Sequence, residues 1–226
     1  MGVISTYLID NISKPVTKYF RENLGLKAYL CGGMVRDHIL NFDNYIPTDM
    51  DIFVSINEIP QNDIENYCKD ILNKKFKNSI CNGKIKVCTD FYLRGNYIGD
   101  DFTFFVYEGR IEFEPFTYGG IEYFYITTQI VFVNNNKYKS LLDVLRSFDI
   151  WLCRCAIDVN DEIVILPECQ HDIDNKVVTI QKDVIHLKYA SYKSAAERKA
   201  LLRQNRFCQL YNFKSEKRYF LPLKFK

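Results

Sequence analysis

The stretch from Ala28 to Val54, AYLCGGMVRDHILNFDNYIPTDMDIFV, constrains the fold of this chain more than any other. Ala28-Tyr29-Leu30-Cys31 is a short apolar strand that stops at Gly32-Gly33. Met34 to Asn41 then has the spacing of a short helix, with Val35, Ile39 and Leu40 inward. Phe42 to Pro47 is rich in turn formers and reads as a loop. Met50 to Ile56 alternates, with Asp51, Phe53 and Ser55 on one face and Met50, Ile52, Val54 and Ile56 on the other, which predicts a strand. Strand, glycine turn, helix and strand within thirty residues call for helices layered on a sheet.

Two features of this stretch carry chemistry. Glycine at a strand-to-helix turn lets backbone N–H groups approach a phosphate chain, and Arg36, one turn into the helix, is spaced to add a charge-assisted contact to a triphosphate. A merely tight turn would use the same glycines. Asp49 and Asp51, two apart on a strand, project from one face. Such crowding is unfavourable unless a divalent cation offsets it, and magnesium (or manganese) suits an oxygen-only site that handles a nucleoside triphosphate. An exposed Asp pair at a strand start would give the same pattern without function.

Elsewhere the pattern is mixed. Ile4 to Asn23 is helical, broken or kinked near Pro15, and Glu58 to Lys75 is a second helix. Strands are expected at Lys84 to Thr89, Phe102 to Tyr107, Arg110 to Phe116 and Tyr123 to Phe132, with a turn at Asn134-Asn135-Asn136. A short helix over Lys139 to Arg146, strands over Phe148 to Ile157 and Ile163 to Leu166, and a turn-rich patch over Pro167 to Asn175 follow. Ser191 to Tyr211 favours helix. The expected class is α/β (α+β), a mixed sheet flanked by helices.

Charge is distributed unevenly. Lys188 to Lys226 holds eleven Lys or Arg against two Glu, so with +2 overall, residues 1–187 carry −7. The reading is a main domain over 1–187 and a basic helical extension over 188–226, its Lys193, Arg198, Lys199, Arg203 and Arg206 forming a surface for RNA, with Tyr192 or Tyr211 stacking on a base. A solvated basic helix is the plainer alternative. The aromatic share of 15% is assigned mainly to the core. No apolar run is long enough to cross a bilayer and no secretory signal is visible, so the expected location is cytoplasmic. Eight cysteines without a repeating framework are expected to be thiols. Cys153, Cys155, Cys169 and His171 lack the C-x2-C spacing of a zinc site.

Together, Gly32, Gly33, Val35, Arg36, Asp37, Asp49 and Asp51 resemble the signature of the DNA polymerase β nucleotidyltransferases, in the form found in the head of CCA-adding enzymes and bacterial poly(A) polymerases. The resemblance implies a polymerase β-type fold, glycines and arginine that position the triphosphate, and aspartates that bind two magnesium ions. It also implies a third carboxylate. Asp149, in Ser147-Phe148-Asp149-Ile150, is the choice, with Glu112 and Glu114 as competitors. The Phe-Asp pair and Cys-rich strand resemble viral and phage relatives, which would place the protein in a host cytoplasm. Asp101-Phe102-Thr103 and Glu197-Arg198 echo only part of the segments with which CCA enzymes choose nucleotides. The expected function is transfer of NMP from an NTP to an acceptor hydroxyl, most readily an RNA 3′ end. The alternatives are a transferase modifying a protein or small molecule, or a non-catalytic binding protein on the same fold; a protein partner is left open.

Overall fold

The structure, a computed structural model, describes residues 3–42, 47, 49–56, 59–60, 63–76, 80–81, 85–87, 90–98, 102–135, 140–181 and 193–218. The chain divides into two compact units, Met1–Lys139 with Ala156–Ile163, and Ser140–Cys155 with Val164–Lys226. The boundary expected at 187 lies outside the described residues.

The first unit opens with α1 (Val3–Leu8), a π-helical turn (Ile9–Ser13) and α2 (Lys14–Leu24). Pro15 does not break the helix as expected. It sits in the first turn of α2, directly after the π-helical turn, and the helical run continues through it. β1 (Lys27–Cys31), α3 (Gly33–Ile39) and β2 (Asp49–Ser55) follow as the sequence predicts. The helix expected over Glu58 to Lys75 is shorter: α4 spans Ile64–Asp70 and passes into a π-helical segment, Ile71–Phe76.

Next come β3 (Ile80–Cys81), β4 (Ile85–Val87), β5 (Tyr92–Ile98), β6 (Phe102–Tyr118) and β7 (Ile121–Asn135). The two strands expected over Phe102 to Tyr107 and Arg110 to Phe116 are one strand, β6. Gly109 does not interrupt it, because an added Cβ there would lie 2.9 Å from the Phe91 ring, so glycine makes room for an aromatic. Nor does the chain turn at Asn134 or Asn135, and Asn136, the third residue of the expected turn, lies outside the described residues. β7 runs on, with Asn135 paired to Phe102. The hairpin between β6 and β7 turns at Gly119-Gly120, where φ is +59° and +78°. Two consecutive positive φ values match the right-handed twist of the strands and favour glycine.

The sheet order is β3-β4-β6-β7-β2-β1, continuing to β8 (Cys155–Ile157) and β9 (Ile163–Ile165), with β5 on β6. β2 runs antiparallel to β1 and parallel to β7. One face is the core. Leu30, Met50, Ile52, Val54, Ile130 and Phe132 are buried there, and Phe20 lies 5.0 Å from Phe76 and 6.5 Å from Phe132 between ring centroids. Among the described residues of this unit, Phe20, Phe76, Phe91, Phe105, Tyr107, Phe113 and Phe132 are the buried aromatics.

In the second unit, α5 (Leu141–Arg146) begins with a capping box between Ser140 and Asp143. Phe148 to Ile157 is not the continuous strand expected. Arg154 interrupts it, its guanidinium turned inward to the carbonyls of Arg146 (3.0 Å) and Phe148 (2.9 Å), the amide oxygen of Gln181 and the carboxylate of Glu168 (3.4 Å). The backbone forms a 3-10 turn, Trp151–Cys153, before β8. The turn-rich patch is a helix, α6 (Pro167–Asn175), with Pro167 in its first turn and Lys176 left-handed at its end. Its polar composition hid it, although Cys169 and Asp172 are buried on its inner side. Asp172 accepts hydrogen bonds from the Thr179 N–H (2.9 Å) and hydroxyl (2.6 Å). β10 (Val177–Gln181), α7 (Lys193–Tyr211) and β11 (Lys214–Arg218) complete the unit, β10 and β11 pairing in parallel. Buried Gln204 on α7 donates to the carbonyls of Val178 (2.6 Å) and Glu216 (2.7 Å), fastening the helix to both strands. No helix among the described residues is long and apolar enough to cross a membrane.

Removing Arg154 would strand several buried acceptors. Arg154→Met is expected to cost about 3–5 kcal/mol in denaturant unfolding, whereas Lys18→Met, which breaks only an exposed pair with Glu22, should leave the midpoint unchanged.

Candidate active site

The pairing of Cys31 with Asp51 determines the local geometry, because it brings the turn after β1 against the acid on β2. Gly32 has φ +82° and ψ −149°, a conformation that side chains resist. A Cβ at Gly32 would lie 2.3 Å from Oδ2 and 3.2 Å from Cγ of Asp51. Gly32 therefore fits both its backbone and the neighbouring carboxylate. Gly33 is tight as well, its would-be Cβ 3.3 Å from Nη2 of Arg36. The Arg36 side chain is not splayed toward solvent. It is buried, with Nε and Nη2 each 2.9 Å from Oδ1 of Asp37.

Asp49 and Asp51 share one face of β2, and Met50, Ile52 and Val54 are buried on the other. Removal from water pushes the Asp51 carboxyl up to about 7, and the charge of Asp49 adds to the rise. Arg36 and Arg94 oppose it. Burial, then the nearness of Asp51, raises the Cys31 thiol well above its ordinary range. The pair thus stores unfavourable charge that two arginines only partly offset.

The sheet extends this face sideways. Asp49 is in register with Thr127 and Thr127 with Arg110; Asp51 is in register with Gln129, Gln129 with Glu108, and Glu108 with Tyr92. Glu108 accepts hydrogen bonds from the Tyr92 hydroxyl, from Arg94 and from Gln129 (3.4 Å). Gln129, Glu108 and Arg94 were absent from the sequence-based set. Ending the first expected strand at Tyr107 left Glu108 out, whereas the continuous strand places it on the same side as Glu112; Gln129 and Arg94 join it only through the pairing of β7 and β5 with β6. Glu112 and Glu114 are exposed, Glu112 in register with Tyr125.

The other expected residues lie in the second unit. Asp149 pairs with Arg203, and its backbone carbonyl accepts from the Gln181 N–H (2.8 Å). One expected metal ligand and one expected RNA contact therefore engage each other. Arg198, Lys199 and Arg206 are exposed on α7. Lys193 begins that helix, its side chain outside the described set, as is all of Tyr192. Tyr211 packs between Phe207 (6.1 Å) and Phe213 (5.9 Å). Among the described residues no group of three or more His, Cys, Asp or Glu gathers as a metal cage. The thiols of Cys155 and Cys169 both point to the Leu152 carbonyl. The Asp49–Asp51 pair is an oxygen-only donor set whose charge is only partly offset, which fits a hard divalent cation.

No protein-family model and no curated protein matches the chain. Solved structures do. A CCA-adding enzyme in complex with ATP superposes with a TM-score of 0.52 at 16% identity, over 94% of this chain and 42% of that one. The Thermotoga maritima CCA-adding enzyme complexed with tRNA gives 0.51 at the same identity and coverages, and so does a CCA-adding enzyme with CTP. The likeness is one of fold. It shows a mixed α+β fold like that of these CCA-adding enzymes, and this chain spans less than half the length of the structures it matches.

Two outcomes follow from the geometry. Gly32→Ala should lower stability by about 1–3 kcal/mol through backbone strain alone, with more from displacing Asp51, read as a fall in melting temperature. The second concerns pH. The folded protein holds the Asp51 proton more firmly than the unfolded chain does, so this contribution to stability is complete below about pH 4 and is lost as pH rises through about 7. In divalent-free buffer Asp51→Asn should therefore exceed the parent by about 2–4 kcal/mol at pH 8 and match it near pH 4. Equal slopes in pH-resolved unfolding would refute that origin.

Proposed function

We propose that this protein is a divalent-cation-dependent nucleotidyltransferase that moves NMP from an NTP to an acceptor hydroxyl, with an RNA 3′ end as the acceptor. The observation that carries the reading is the Asp49–Asp51 pair, crowded on one strand face with Gly32 cleared of any side chain beside it. A fold shared with CCA-adding enzymes solved with ATP, CTP and tRNA supports it.

Asp49 and Asp51 would hold Mg2+ or Mn2+, which when bound neutralises triphosphate charge and lowers the pKa of an attacking hydroxyl. The chain's own contribution is positional. Gly32 and Gly33 leave the backbone bare where phosphates would approach, and Arg36, fixed by Asp37, supplies positive charge behind the pair. Arg198, Lys199 and Arg206 give the acceptor a basic helical surface. Asp149 is given no step, because its carboxylate serves Arg203.

One observation favours a second reading, NTP binding without transfer. β7, the strand beside the pair, offers Tyr125, Thr127 and Gln129 on the carboxylate face, and none is an acid.

The test is incorporation of each labelled NTP, with Mg2+ or Mn2+, into pooled RNA and protein, beside Asp49→Ala/Asp51→Ala. Label in RNA that falls more than about a hundredfold in the variant is the expected result. Label in protein would replace the acceptor. Cation-dependent NTP binding without label would establish the second reading, and absence of both would end the nucleotidyltransferase proposal.

A further inference from the structure

We propose that the ring of Tyr125, backed by the guanidinium of Arg110, is a stacking platform that takes a nucleobase beside the Asp49–Asp51 pair. The proposal rests on the nucleotidyltransferase reading and adds where a base would lie.

Register puts the platform there. On β7, Gln129 faces Asp51 and Thr127 faces Asp49, and the next residue on that side is Tyr125. It stands one pleat repeat beyond the acids, about 7 Å along the strand. The pairing of β2 with β7 begins at Asp49 and Thr127, so Tyr125 lies beyond that pairing while remaining in register with Glu112 on β6. Its neighbour Ile126, like Ile130 and Phe132, points into the core, whereas Tyr125 is 41% exposed on the carboxylate side. A large aromatic left in solvent next to charged groups contributes little to folding.

Arg110 fixes the ring. It is in register with Thr127, and its guanidinium carbon sits 4.8 Å from the Tyr125 centroid. Phe124 meets the ring edge-on at 5.1 Å. With its orientation restrained, the ring would lose little freedom on stacking. A flat aromatic surface joined to a guanidinium plane is the chemistry that holds an unpaired base, worth about 1–3 kcal/mol per base and tolerant of sequence. In a two-substrate site that base can belong to the incoming NTP or to the acceptor's last nucleotide, and either nucleoside has its sugar between the platform and the reacting phosphate.

The experiment compares the full chain with Tyr125→Ala and Tyr125→Phe in two arms. The first measures Mg2+-dependent affinity for each NTP and for inorganic tripolyphosphate by calorimetry. The second measures affinity for a short single-stranded RNA and its abasic counterpart by fluorescence anisotropy. Tyr125→Ala is expected to weaken NTP or RNA binding about 5- to 150-fold while leaving tripolyphosphate and abasic RNA unchanged, and Tyr125→Phe to retain parental affinity. The arm that falls names the source of the base. Parental affinity in both arms of Tyr125→Ala would overturn the platform alone, as would equal loss of the base-free ligands. A parent protein that binds neither NTP nor RNA would overturn the platform together with the reading beneath it.

Discussion

Electrostatic repulsion between Asp49 and Asp51 sets the terms for everything around it. Two carboxylates on one strand face cannot both ionise cheaply once desolvated, and the fold surrounds them with partial remedies. Arg36 stands behind them, itself neutralised by Asp37. Arg94 reaches the face from β5, itself bound to Glu108. Each cation already has an acid of its own, so neither cancels the pair. Burial, with the charge of Asp49 adding to it, holds the Asp51 carboxyl up at about 7.

The second unit uses buried polar groups in the opposite sense. Arg154, Gln204 and Asp172 are all buried, and each is partnered across elements: Arg154 with Gln181, Gln204 with two strands, and Asp172 with Thr179 on the neighbouring strand. Arg154 ties the segment around Phe148 to Gln181, and Gln204 ties α7 to two strands. Such contacts cost desolvation but fix register, because a misaligned strand would leave a buried group unpaired. In this unit polar groups define the packing, whereas around Asp51 they leave a deficit.

The part of the fold that surrounds the acids was legible in the sequence because each step there has a local cause. Alternation over Met50 to Ile56 gave the strand, and Gly32-Gly33 gave the turn. The close approach of Gly32 to Asp51 was not legible, since it depends on β1 and β2 pairing in one register. Two glycine positions had no local signal to mark their role: Gly109, between the two expected strands, accommodates Phe91, and Gly119-Gly120 makes the hairpin turn. The α6 helix was missed because Asp, His and Asn read as turn formers, although its purpose is to bury Asp172. The neutralisation of Asp149 by Arg203 is a contact fifty-four residues apart in sequence, beyond any local pattern.

The bulge in β6 has a bearing on how this protein could change over generations. Between Glu112 and Phe116 the register against β7 shifts, so pairing up to Glu112 and pairing from Phe116 to the Gly119-Gly120 turn are set separately. Below the bulge, one residue gained or lost would exchange the faces of β6 and move core aromatics to the side of the acids. Above it, a change in length alters only the end of the ribbon. The hairpin thus separates a region closed to insertion from one where length can drift, and lineage-specific loops would accumulate at the tip while the rows beside Asp49 and Asp51 stay in step.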